Sequence, residues 1–170
     1  MKLFPEVAAA ILLLILTLCL QCVGVALLIE WLKRVLTRDI PRFGPVRSAV
    51  LVVELTIAII FLHGLVILLW ASCYRSRCFP SWELAVYFSA SSYATVGYGD
   101  VILPGSWRLL GPLESMTGVL MCGVSICLVF ATVSRMVDRD VQFSMRQRQA
   151  AVALATLGKA AAPSSEQTHA

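Results

Sequence analysis

The chain has 170 residues, of which 59% are hydrophobic and 14% charged, with a formal net charge of +4 and a mean hydropathy of +0.83. A water-soluble globule of this length needs more polar surface than that, so the composition excludes one and makes the lipid bilayer the expected solvent.

Residues 7–29 carry no charge over 23 positions, roughly 34 Å as a helix and enough to span a bilayer. This apolar run outlasts that of a secretory signal peptide, and no A-x-A-like cleavage site follows, so a retained helix is expected. The residues before Cys19 and Cys22 are Leu18 and Gln21, not the small residue that precedes a lipid-modified cysteine. The segment 33–47 follows, with Lys33, Arg34, Arg38, Arg42 and Arg47. Pro41, Gly44 and Pro45 predict a turn within it, after an interfacial helix end.

A second apolar run begins near Ser48 and continues to Tyr74, with Glu54 near its start and His63 in its middle. Titratable groups inside a span are functional candidates; Glu54 fits a side chain snorkelling to the interface, and His63 fits a hydrogen-bonded packing histidine better than a pH sensor. The third run, 109–134, contains one acid, Glu114. Beyond it lie Arg135, Arg139, Arg146, Arg148 and Lys159 in a segment that continues the helix and ends in "GKAAAPSSEQTHA", small, polar and expected to be disordered.

The basic residues flank apolar spans, which makes them topology signals rather than nucleic-acid contacts. By the positive-inside rule, 33–47 and the tail are cytoplasmic, 73–107 faces outside, and the N-terminus is outside too. Cys19, Cys22, Cys122 and Cys127 fall in apolar helices as small hydrophobes. Cys73 and Cys78, in "CYRSRC", leave two alternatives open, a disulfide in an oxidising compartment or two free thiols; no histidine or second cysteine pair lies close enough for a metal site. No apolar run carries the regularly spaced arginines of a voltage sensor.

Between the second and third runs, Pro80 and Ser81 open a short apolar helix over 81–94, with Ser81 as N-cap and Glu83 in the first turn, where the helix dipole favours an acid. About 12 residues are too few to cross a bilayer. The helix is expected to enter from outside and stop part way, at "SSYATVGYGD", 91–100. Gly97 and Gly99 make positive φ cheap at alternate residues, one use of which is a row of carbonyls turned to one side. Non-helical backbone at that depth has to be buried in protein or line water.

"TVGYGD", Thr95 to Asp100, resembles the selectivity filter of potassium channels. The order of outer helix (48–72), pore helix (81–94), filter and inner helix (109–134) matches that family as well, over about half the chain. The resemblance implies an all-α membrane protein with three transmembrane helices, a re-entrant pore helix and an extended filter loop. It divides the chain into an N-terminal transmembrane helix (1–32), a basic cytoplasmic linker (33–47), a pore domain (48–135) and a cytoplasmic tail (136–170).

It further implies that the carbonyls of Thr95, Val96, Gly97 and Tyr98, with the Thr95 hydroxyl, replace the hydration shell of K⁺, while Gly99 completes the permissive backbone. One motif per chain implies a homotetramer, with K⁺, lipid and other copies of the chain as partners, no nucleic acid, no enzyme activity and no cofactor. Gly118 and Gly123 fall where the family's inner helix carries glycines, and two readings stand: a gating hinge or close helix packing. Ser125, Val129 and Thr132 fall on turns expected to face the pore cavity.

Some members place a glutamate four residues before the filter threonine, paired with the filter aspartate; here that position is Ser91, and the position just before the filter is Ala94. Asp100 then needs Tyr87 or Ser91 as its partner. Glu114, four residues before Gly118, is expected to brace the pore helix from behind through a hydroxyl of Tyr87, Ser89, Ser91, Ser92 or Tyr93. The simplest, prokaryote-like members have two spanning helices, so the first helix is a departure. The alternatives are a non-conducting pore-like subunit or scaffold that modulates other channels, against which the intact glycines argue, and a less selective cation channel, which calls for an altered filter.

Overall fold

The computed structural model describes residues 3–37 and 45–161. They form α1 (Leu3–Thr37), α2 (Pro45–Arg77), α3 (Trp82–Tyr93), a short 3-10 helix (Gly105–Trp107) and α4 (Leu110–Ala161). Among the described residues three segments are helical, long and apolar enough to cross a membrane, Glu6–Val35, Val46–Arg77 and Gly105–Leu157. The turn expected around Pro41 and Gly44 and the last nine residues lie outside the described residues.

The helices outrun the apolar stretches that announced them. α1 continues past position 32 to Thr37, carried by pairs from Glu30 to Lys33 (4.0 Å) and Arg34 (3.5 Å) on its own surface, at spacings that support a helix. α2 runs on from 72 to Arg77, where the Tyr74 carbonyl accepts from the N–H groups of Cys78 (2.8 Å) and Phe79 (2.9 Å). α4 extends over 52 residues, roughly 78 Å. Hydropathy marks the part of a helix that lipid tolerates; the helix itself stops only where capping or a breaker stops it. Pro45 opens α2 at a position where its missing N–H costs nothing. Pro112 sits in the first turn of α4 for the same reason.

α2 is the central strut, packed against α1, α3 and α4. Two apolar clusters fix the directions of the helices. The larger gathers Leu13, Val66, Trp70, Tyr74, Ala85, Tyr93, Leu110 and Met121 around α3. The smaller joins Leu32, Leu51 and Met136 at the other end of the bundle. The first half of α1, the last part of α2 and the start of α4 therefore share one end, so α1 and α4 both run antiparallel to α2. Tyr74, Phe79 and Phe88 meet edge-on or tilted at centroid distances of 5.1 to 6.4 Å, seating α3 against the top of α2.

Polar groups bind α1 to this bundle. The Trp70 indole N–H donates to the buried Thr17 hydroxyl (2.9 Å). Glu6, only 3% exposed, accepts from the Leu109 N–H through Oε1 (3.2 Å). Leu109 precedes the first residue of α4, so a side chain from 103 positions earlier satisfies an N–H at the mouth of that helix. Glu6→Ala is expected to cost about 1 kcal/mol, the value of a helix-start cap, read as a lower unfolding midpoint in detergent, while Glu6→Gln retains most of it. Equal midpoints for parent and alanine variant would remove Glu6 from the account.

Candidate functional site

The site is built around α3 and the loop that follows it. Ser81, with φ −130° and ψ 153°, is the N-cap of α3, its hydroxyl accepting from the Leu84 N–H at 3.3 Å. Glu83 occupies the first turn, where the exposed N–H groups favour an acid. At the other end the chain leaves the helix but bonds back to it. The Ser92 carbonyl accepts from Thr95 N–H (2.9 Å), and the Ser91 carbonyl accepts from both Val96 N–H (2.9 Å) and Gly97 N–H (3.2 Å).

Past that point the backbone alternates in hand. Thr95, Gly97 and Gly99 have φ of 60°, 55° and 80°, whereas the residues between them are not in the positive-φ region. Glycine adopts such angles freely, but Thr95 is β-branched and adopts one only where its surroundings over-determine it. With the N–H groups of Thr95, Val96 and Gly97 turned back to α3, the carbonyls of Thr95, Val96, Gly97 and Tyr98 accept no hydrogen bond among the described residues. The side chains of Val96 and Tyr98 are exposed, at 51% and 70%.

Asp100 closes the loop. Its Oδ2 accepts from the Tyr87 hydroxyl (2.8 Å) and its Oδ1 from the Val101 N–H (3.0 Å); the Tyr87 ring stacks on Tyr98 at 6.3 Å and 10°. The bond to the Asp100 carboxylate holds the Tyr87 phenol above its ordinary pKa. Of the two partners expected for Asp100, the structure supplies Tyr87. The Ser91 hydroxyl donates instead to the Phe88 carbonyl (3.0 Å), so Ser91 meets the loop through its carbonyl.

Behind α3 lies Glu114, fully buried. The Tyr74 hydroxyl donates to its Oε2 (2.7 Å), and the Ser89 hydroxyl lies against its Oε1 and also 2.9 Å from the Ile67 carbonyl. The Ser89 hydroxyl thus links the Glu114 carboxyl of α4 to the backbone of α2. Ser89 is one of the five hydroxyls expected to meet Glu114; Tyr74, from α2, is a partner that local sequence spacing did not signal. Nearby, the Ser115 hydroxyl on α4 donates to the Ser92 carbonyl (2.7 Å).

Gly118 lies where α4 touches the end of α3, since a Cβ there would stand 2.1 Å from the Tyr93 carbonyl oxygen. Close packing is thus the role visible for Gly118. A Cβ on Gly123 would meet nothing within 4 Å, and α4 is unbroken through both. Ser125 and Thr132, expected to face a cavity, are buried at 6% and 0% exposure. With Glu114, Gly118 and Met121 they lie on the stripe of α4 turned to its neighbours, because steps of three, four and seven residues return to one helix face.

Cys73 and Cys78 are free thiols here, and burial, with Cys73 and Glu6 adding to it, pushes the Cys78 thiol up to about 11. Among the described residues no group of His, Cys, Asp and Glu could hold a metal ion.

Residues 50–135 match the model of an ion-channel family. That is half the chain and contains α3, the loop and the part of α4 that holds them, so the protein belongs to this family and is a multi-pass membrane protein of the ion-channel class. The chain matches no curated protein and no solved structure.

The Glu114 arrangement has a direct test. Glu114→Gln keeps one donor for Ser89 and one acceptor for Tyr74, and is expected to retain ion flux and thermal stability. Glu114→Leu strands the buried Tyr74 hydroxyl, at about 1–3 kcal/mol, leaves Ser89 only the Ile67 carbonyl, and is expected to lower the unfolding midpoint and shorten the conducting lifetime. Parent-like behaviour of the leucine variant would show that Glu114 braces nothing.

Proposed function

We propose that the protein is a potassium-selective channel that passes K⁺ passively through a filter built from four copies of Thr95–Gly99. The observation that carries this reading is the alternating backbone of the loop. Positive φ at Thr95, Gly97 and Gly99, with the Val96 and Gly97 N–H groups bonded back to the Ser91 carbonyl, leaves successive carbonyls free to coordinate. Carbonyl oxygens in stacked rings replace the water that a K⁺ ion sheds, and the Thr95 hydroxyl supplies the innermost ring. Val96 and Tyr98 are exposed on the single chain, as residues are that pack against neighbouring copies.

A single loop covers one side of an ion, so ring closure needs head-to-tail copies about a symmetry axis. α3, at 12 residues and roughly 18 Å, is then a re-entrant pore helix. Its C-terminal end brings partial negative charge toward the central cavity and favours a cation there.

Two measurements test this. Liposomes containing only this protein are expected to release K⁺ in preference to Na⁺ and to be blocked by Ba²⁺. Gly97→Ala, which places a Cβ on a backbone at φ +55° against a cost of about 1–2 kcal/mol, is expected to keep the tetramer and abolish K⁺ flux. Parent-like K⁺ permeation in that variant would sink the filter assignment, and equal Na⁺ flux in the parent would leave a non-selective cation channel.

The positive charge of segments 33–47 and 135–159 supports a cytoplasmic side for both and an outer side for the filter mouth. Because α1 runs antiparallel to α2, the N-terminus shares the outer side. An impermeant maleimide is expected to label Lys2→Cys on intact cells; protection of that cysteine would reverse the orientation.

A further inference from the structure

His63 stands in the middle of α2, and both of its ring nitrogens are engaged by other elements. Nδ1 lies 2.7 Å from the Tyr93 hydroxyl, with the two rings 5.7 Å apart and tilted by 55°. Nε2 lies 3.0 Å from the Ser125 hydroxyl. Tyr93 and Ser125 are buried, at 4% and 6% exposure, in a part of the molecule where an unpaired polar group is costly. Tyr93 is the last residue of α3, two positions before Thr95 with its positive φ. Ser125 is on α4.

Tyr93 is therefore held by α4 at two points. Its backbone carbonyl meets α4 directly at Gly118. Its phenol meets α4 through His63 at Ser125, seven residues and roughly 10 Å further along the helix. A tilt or rotation of α4 that leaves the Gly118 contact in place still moves Ser125 relative to His63.

Ser125 also has somewhere else to go. A serine in a helix can turn its hydroxyl to the carbonyl four residues earlier, as Thr132 does to Leu128 (2.8 Å) and Ser144 does to Asp140 (2.9 Å). For Ser125 that carbonyl belongs to Met121. The hydroxyl thus has two discrete arrangements, bonded to His63 or folded back on α4, which is what a coupling element needs.

On the reading that the protein is a potassium channel, we propose that His63 is a positioning residue that couples the inner helix to the filter. It sets the end of the pore helix according to where Ser125 on α4 stands. A neutral imidazole donates from one nitrogen and accepts at the other, so both bonds are made or lost with one ring orientation. When Ser125 turns away, the ring loses one of its two anchors, and Tyr93, just before the filter, is no longer fixed from behind.

The experiment is single-channel recording of the reconstituted full-length protein, with Tyr93→Phe, Ser125→Ala, His63→Gln and His63→Leu, and with Tyr93→Phe and Ser125→Ala combined. Tyr93→Phe and Ser125→Ala each remove one oxygen and keep the fold, so they carry the test even where His63→Leu fails to assemble. Each is expected to shift the open–closed ratio about five-fold, the worth of one hydrogen bond, with the K⁺/Na⁺ preference unchanged. The combined variant is expected to shift it no further than either alone, the signature of residues acting as a unit. His63→Gln, with a donor and an acceptor on one side chain, is expected to recover part of what His63→Leu loses.

A histidine that merely packs would give variants that melt earlier but gate like the parent, or shifts that multiply in the combined variant; either result overturns the coupling. A parent that conducts K⁺ while Ser125→Ala leaves its gating untouched overturns the coupling alone. A parent that passes no K⁺ overturns the channel reading and the coupling with it.

Discussion

A backbone N–H or carbonyl in hydrocarbon has no water to turn to, and leaving one unpaired there costs several kcal/mol. α1, α2 and α4 meet that constraint simply by being helices. Residues 94–100 are not helical, and N–H groups among them find partners of another kind. The Ser91 and Ser92 carbonyls at the end of α3 absorb the N–H groups of Thr95, Val96 and Gly97. What remains is a row of carbonyls, from Thr95 to Tyr98, that accept no hydrogen bond among the described residues. The loop's chemistry thus depends on where the last turn of α3 stands.

That turn is held from several directions at once. The Tyr93 carbonyl lies against Gly118, the Ser92 carbonyl accepts from Ser115, and Ser89 bridges Glu114 and the backbone of α2. The Ser92 and Ser89 contacts pair polar groups inside an apolar bundle, where a satisfied network is rigid and a half-satisfied one is expensive. Glu114 fits this setting because two hydroxyls meet its carboxyl, and a buried polar group without such partners is disfavoured. A carboxyl on α4 thereby reaches α3 from behind, while Tyr87 on the exposed side of α3 takes over Asp100.

α1 is joined to the same frame. Thr17 and Trp70 tie it to the upper part of α2, and Glu6 caps the start of α4. The start of α4 adjoins the 3-10 helix that follows the loop 94–100, where Arg77 from the end of α2 lies 5.9 Å over the Trp107 ring. The added helix therefore does more than raise the number of spans, since its first turns fix the segment on which the exit of the loop rests.

The sequence by itself determined the apolar runs, the short helix from Ser81, and the glycines at 97 and 99, because these rest on composition, capping and the steric freedom of single residues. It also singled out Glu114 and His63, since titratable groups inside apolar runs are conspicuous. It led to a third helix that continues past 134, as α4 does, but not to where the helices end, because charged and mixed segments such as 135–157 carry no hydropathy signal that marks their length. Nor did it reveal the positive φ of Thr95, an angle that threonine does not choose locally and that the anchoring of the loop on Ser91 imposes. Tyr74 with Glu114, Glu6 with Leu109, and His63 with Tyr93 and Ser125 are separated by 40, 103, 30 and 62 positions. No local period connects residues so far apart. Only the packing of α1, α3 and α4 on α2 brings them together, since a helix's sequence shows which face is apolar but not which neighbour that face will meet, nor at what rotation.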